Sequence, residues 1–167
     1  MRTPTDEPHW EYLVSHHAPN RYDRTLTLRI RARRVHLCAR CSGQLLGFVA
    51  VLATWATLRP VALGLTDPGV LVVLALAPAP AAFDWYLQSS GVRDSSNALR
   101  LVSGALLGGA FAGLLALLVS GALLDFVGGL VIFAAYVGLL FTGLWVSGAW
   151  RKVIEEHFPG VALPPAN

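Results

Sequence analysis

Charge is scarce in this chain. Of its 167 residues only 14% are Asp, Glu, Lys or Arg, against 54% hydrophobic, and the mean hydropathy is +0.55. A soluble domain carries about a quarter charged residues, so the deficit points to lipid as the solvent. Cysteine is nearly absent: Cys38 and Cys41 are the only two. That excludes a disulfide framework, and their tight spacing suits a metal or redox pair. The first forty residues are polar and arginine-rich, with no apolar stretch leading to a cleavage site, so no secretory leader is expected. The formal charge of +3 does not indicate nucleic acid. Arginines flanking apolar segments are demanded by membrane topology, and anionic lipid headgroups are the partner they fit.

What is present is four apolar segments. The first runs over about 42–58 and ends at Arg59-Pro60. The second, about 68–87, opens with Asp67 as N-cap and Pro68 at the first helical position. The third, about 98–119, is capped by Asn97 or Ser96 and the fourth, about 126–148, by Asp125. Each is long enough to cross a hydrocarbon core of about 30 Å at 1.5 Å per residue. The expected fold is an all-α integral membrane protein, a four-transmembrane-helix bundle. Residues 1–41 form an arm before it and 149–167 a tail after it. Pro78 and Pro80 remove two amide donors, so a kink facing the bundle interior is expected there.

Orientation follows from the cations. Eight arginines precede the first span, Arg93 and Arg100 lie between spans two and three, and Arg151 and Lys152 follow span four. The positive-inside rule therefore places both termini and the central loop in the cytoplasm of a multi-pass protein of the plasma membrane. Trp55, Trp85, Tyr86, Trp145 and Trp150 fall near span ends, where amphipathic rings favour the interface. In span three, Gly104/Gly108 and Gly109/Gly113 have small-xxx-small spacing. Such a face lets a helix approach closely, within the bundle or across a homo-oligomer.

The arm carries the chemistry. Residues 10–15 read as a short helix or interfacial segment. Leu26, Leu28, Ile30 and Ala32 alternate with Thr27, Arg29, Arg31 and Arg33, a strand period, and Val35–Leu37 could return as a second strand. Cys38 and Cys41 follow at the membrane junction. An x-x spacer lets two sulfurs face one ion, and thiolate with neutral imidazole suits Zn. His16 and His17 are the further ligands expected, with His36 or Asp84 as alternatives, and Gly43 leaves room for backbone amides at a sulfur. The same pair, beside Arg40 and a helix N-terminus, would also suit thiol redox chemistry.

A polar cluster lies at the same membrane face. Asp84 and Gln88 are one helical turn apart and share a side. Arg100 falls in the first turn of span three, a poor place for a cation, so a carboxylate or phosphate partner is expected, with Asp84 the protein candidate. In an enzyme, Asp84 and Arg100 would be catalytic, and Arg40, Gln88, Arg93 and Asn97 would bind substrate.

At Cys38-Ala39-Arg40-Cys41-Ser42-Gly43 with Gly47-Phe48, the chain resembles a family of small multi-span prokaryotic membrane proteins, the domain of unknown function DUF2085. The run Asp84, Gln88, Gly91, Arg93, Ser95, Asn97, Leu99-Arg100 and Gly104 is similar to a second motif. His16, Pro19 and Arg21 match a third, in which Ser15 stands where a cysteine would be. The resemblance implies the membrane class and the grouping of His16, Cys38, Cys41, Asp84 and Arg100, and it brings no activity with it. Three function classes stay open. One is a metal-assisted enzyme on phospholipid or polyprenyl-phosphate headgroups, its metal polarising an oxygen. Another is a thiol redox protein or sensor using Cys38 and Cys41. The third is a small oligomeric transporter, which the broken second span favours and the lack of mid-depth charge disfavours.

Overall fold

The computed structural model describes residue 15 and residues 19–30, 33–63 and 66–157; the segment 10–14 read above as a helix or interfacial stretch lies outside them. A 3-10 turn, Pro19–Arg24, leads into β1, Thr25–Ile30, which pairs antiparallel with β2, Arg33–Cys38. Thr25 faces Cys38 and Ile30 faces Arg33. This hairpin is the ribbon that the period-2 alternation implies, with a longer return strand than Val35–Leu37. The strand passes straight into α1, Ala39–Leu63, three residues before the expected start of the first span. Cys38 therefore ends a strand while Cys41 sits in the first turn of a helix.

Span two is a pair of helices, α2, Pro68–Leu76, and α3, Ala79–Ser89. Asp67 caps α2 by accepting the Gly69 N–H at 2.8 Å, with Pro68 at its first position. The break at Ala77-Pro78 has a covalent cause. Pro78 and Pro80 have no N–H, so the carbonyls four residues earlier, Leu74 and Leu76, lose their helical donors. Pro78 is buried, which turns the break inward, as hydrocarbon requires.

Helix α4, Asn97–Val119, is capped by Ser96, whose Oγ accepts the Leu99 N–H at 3.2 Å. Helix α5, Leu123–Val146, corrects one expectation: its N-cap is Ala122, with no side-chain cap, and Asp125 lies in the first turn. The carboxylate still favours that end through the helix dipole. Two spans end in Ser-Gly pairs, with Gly121 at φ 77° and Gly148 at φ 69°; these left-handed positions suit glycine. A short helix, α6, Trp150–His157, follows. Among the described residues, four segments are long and apolar enough to cross a membrane: Ala39–Leu58, Pro68–Ser89, Asn97–Val119 and Leu123–Val146. The chain is an integral membrane helical bundle.

Its tightest seam joins α1 to α4. A Cβ on Gly43 would meet the Leu101 carbonyl oxygen, and one on Gly47 the Ala105 oxygen. Across the seam, Gly104 sits on the Arg40 oxygen and Gly108 on the Gln44 oxygen. Lipid offers helices no hydrophobic drive to associate, so close backbone packing does that work here. Gly43 thus makes room for α4, where room for amides at a sulfur was expected. The buried centre is correspondingly small-chained, with Ala39, Ala110, Ala112, Ala116 and Leu117. Large apolar side chains such as Leu124, Leu139 and Val146 point outward, which in a bilayer is where they belong.

Candidate functional site

The glycine seam decides where the polar residues meet. By docking Gly104 against the first turn of α1, it brings Arg40 alongside the end of α3 and the start of α4. Asp84, on α3, is 3% exposed and accepts a hydrogen bond from Arg40 Nη2 at 2.5 Å. Arg93, in the α3–α4 loop, approaches the other carboxylate oxygen at 3.8 Å, but its side chain is 55% exposed. Solvent screening leaves such a contact weak.

Arg100 does not take the partner expected for it. Its guanidinium donates to Gln88 Oε1 and Asn97 Oδ1, each at 3.3 Å. Asp84 is occupied by Arg40 instead; Gln88, one turn along α3, is what reaches Arg100. The cation is only 4% exposed, and both its partners are neutral amides. Around it, Arg24 and Arg40 act as like charges and Asp84 and Asp23 as opposite ones. Asn97 also donates through Nδ2 to the carbonyls of Asp23 and Thr25, at 2.8 and 3.1 Å. It therefore ties the arm to α4 as well as turning its oxygen to Arg100.

Sequence reasoning missed Arg24. It is buried and lies 3.9 Å from the exposed Asp94, yet in the sequence it is one of eight arginines before the first span. Nothing in its spacing separates it from Arg29 or Arg31; only its place at the end of the 3-10 turn, beside the residues Asn97 holds, does so.

The cysteines do come together. Cys38 is buried and Cys41 exposed, and the two side chains interact across the junction of β2 with α1. Their alternative ligands do not join them. His36 Nδ1 lies 3.1 Å from Thr27 Oγ1 and its ring stacks on Tyr22 at 4.0 Å, while Asp84 is committed to arginines. Among the described residues, no three of His, Cys, Asp and Glu gather as metal ligands. His16 and His17 lie outside the described residues, and Ser15 before them is fully buried.

In the Arg40–Asp84 pair, Arg40 Nε and Asp84 Oδ1 are buried with no hydrogen-bond partner among the described residues. One is a donor and the other an acceptor, so the site can take up a group that accepts at one atom and donates at another. Its surplus of buried cations over buried acids favours an anion. A family model described as "Predicted membrane protein (DUF2085)" matches residues 19–115, a stretch that contains every residue of this cluster. No curated protein and no solved structure matches the chain.

Proposed function

The chain belongs to the DUF2085 family of predicted membrane proteins, and we propose that its polar end recognises the phosphate of an anionic membrane lipid. The observation that carries this reading is Arg100, a buried cation in the first turn of a membrane helix whose hydrogen-bond partners among the described residues are both neutral amides. Burying an ion costs several kcal/mol unless a counter-charge is supplied, and the helix dipole at that position adds to the cost. Arg24 and Arg40 raise it further, and Asp84 and Asp23 offset part of that. A phosphate offsets all three at once, and the planar fork of arginine suits it. In this reading Asp84 holds Arg40 in place, and its Oδ1 accepts from a hydroxyl of the headgroup. The cluster faces the cytoplasm, the side to which twelve of the thirteen cations are assigned by the positive-inside rule.

Thermal unfolding of the detergent-solubilised protein tests it. Phosphatidic acid should raise the melting temperature of the wild type, phosphatidylcholine should not, and Arg100→Gln should remove the difference. Equal shifts from both lipids would sink the reading.

A second reading rests on Cys38 and Cys41, brought together where β2 passes into α1. Two sulfurs that close can share one zinc ion, with His16 and His17 supplying imidazole nitrogens. About one zinc per chain, lost in Cys38→Ser, is the outcome it requires.

A further inference from the structure

The hairpin of β1 and β2 has two unlike faces. Residues directly opposite each other in an antiparallel pair share a side. The register therefore puts Leu26 with Leu37 and Leu28 with Val35 on one face, and Thr27 with His36 and Arg29 with Arg34 on the other. By strand alternation Ile30 joins the apolar face. That face is increasingly uncovered away from the bundle: Leu26 and Leu37 are half-buried, whereas Leu28 is 46% and Ile30 58% exposed. On the polar face Arg29 and Arg34, both exposed, stand directly opposite one another. Like charges so placed are destabilising unless an anion lies close to both.

Both strands of the hairpin start from the level at which membrane spans begin. β2 ends at Cys38, the residue before the span Ala39–Leu58. At the start of β1, the carbonyls of Asp23 and Thr25 accept from Asn97, the first residue of the span Asn97–Val119. The base of the ribbon is thereby held at two points beside the hydrocarbon. From the Thr25–Cys38 pair to the Ile30–Arg33 pair is five steps, about 17 Å. A two-stranded ribbon alone in water is marginally stable, and packing of its apolar face is what makes it persist. The nearest apolar medium is the lipid leaflet at its base.

We infer that the hairpin is a docking surface for the anionic lipid leaflet beside it. Leu28 and Ile30 enter the boundary between headgroups and acyl chains, and Arg29 and Arg34 meet lipid phosphates. An element with one apolar face and basic residues on the other binds such a boundary in the plane of the membrane, and anionic lipid strengthens the binding. Charge alone would also fit an acidic protein; the two-point attachment beside the hydrocarbon makes lipid the occupant. This surface is separate from the Arg100 cluster and does not depend on what that cluster binds.

Hydrogen exchange of the full chain in nanodiscs tests the inference, with phosphatidylcholine alone or mixed with phosphatidylglycerol. The anionic lipid should slow exchange in β1 and β2 by about tenfold or more, the effect of two arginines at an anionic surface. Salt at about 1 M should remove much of that difference by screening. Two double variants separate the faces. Leu28→Ser with Ile30→Ser should remove most of the slowing. Arg29→Gln with Arg34→Gln should do the same, while leaving exchange in pure phosphatidylcholine no faster than in the wild type, because it relieves the like-charge pair. The slowing should persist in Arg100→Gln; its loss there would assign the effect to the Arg100 cluster and overturn the inference. Exchange that ignores lipid charge, or slowing unchanged in either double variant, would overturn it as well.

Discussion

Replacing Asp84 by Asn leaves Arg40 facing a neutral amide, and the structure fixes what that should cost. The two groups are 2.5 Å apart, with side chains 18% and 3% exposed. Opposite charges near 4 Å attract by about 4 kcal/mol at an effective dielectric constant of about 20. Breaking a buried pair by removing one partner costs about 3–5 kcal/mol. Arg40 keeps some access to solvent, so the lower end applies, about 3 kcal/mol. Arg93 adds little, being more than half exposed. The assay is reversible unfolding in mixed micelles, run as a double-mutant cycle with Arg40→Gln; about 2 kcal/mol or more should appear as coupling between the positions. If the cluster binds lipid phosphate, phosphatidic acid should recover much of the Asp84→Asn loss by supplying Arg40 with a new counter-charge. Coupling below about 0.5 kcal/mol, the range of exposed pairs, would refute the reasoning from burial. So would an Asp84→Asn loss that no anionic lipid reduces.

Other consequences can be checked on the same preparation. Gly108→Ala pushes a methyl group into the Gln44 backbone and should destabilise the bundle by about 1–3 kcal/mol, whereas Gly128→Ala, which meets nothing within 4 Å, should be neutral or slightly stabilising in the same unfolding titration. Asn97→Ala removes the donors to Asp23 and Thr25 and an acceptor of Arg100; hydrogen exchange in β1 should accelerate while α5 is unchanged. Asp67→Ala should cost about 1 kcal/mol through the lost cap of α2, seen as faster exchange in Pro68–Leu76 alone. Metal analysis of Cys38→Ser beside wild type decides the zinc reading, which requires about one ion per chain lost in the variant.

Much of the fold could be read from local chemistry. The Asp67-Pro68 start, the Ser96 cap and the break at Pro78 each follow from a residue acting on its own backbone. The hairpin follows from alternation that only a strand can use. What the sequence hid is tertiary. Asp84 and Arg100 lie 16 residues apart, flanking one loop, and pairing them is the natural reading. The partner Asp84 takes is Arg40, 44 residues earlier, because Gly43, Gly47, Gly104 and Gly108 pull α1 against α4. The glycines of span three show a close-packing face, but of their counterparts on α1 Gly43 suggests room for amides at a sulfur and Gly47 carries no signal beyond the family motif. Asp125 reads as a cap because it precedes an apolar run, yet the helix begins two residues before it, at Leu123. Arg24 is buried by an arm whose contact with α4 runs through Asn97, and no local signal announces a contact of that range.

The central claim is that buried Arg100 holds the phosphate of a lipid. Phosphorus content per chain, measured after exhaustive exchange into phosphate-free detergent, tests it most directly. The account predicts about one tightly held phosphorus in the wild type, released as a lipid on organic extraction and absent from Arg100→Gln. Equal phosphorus in the two proteins, or none in either, would contradict it.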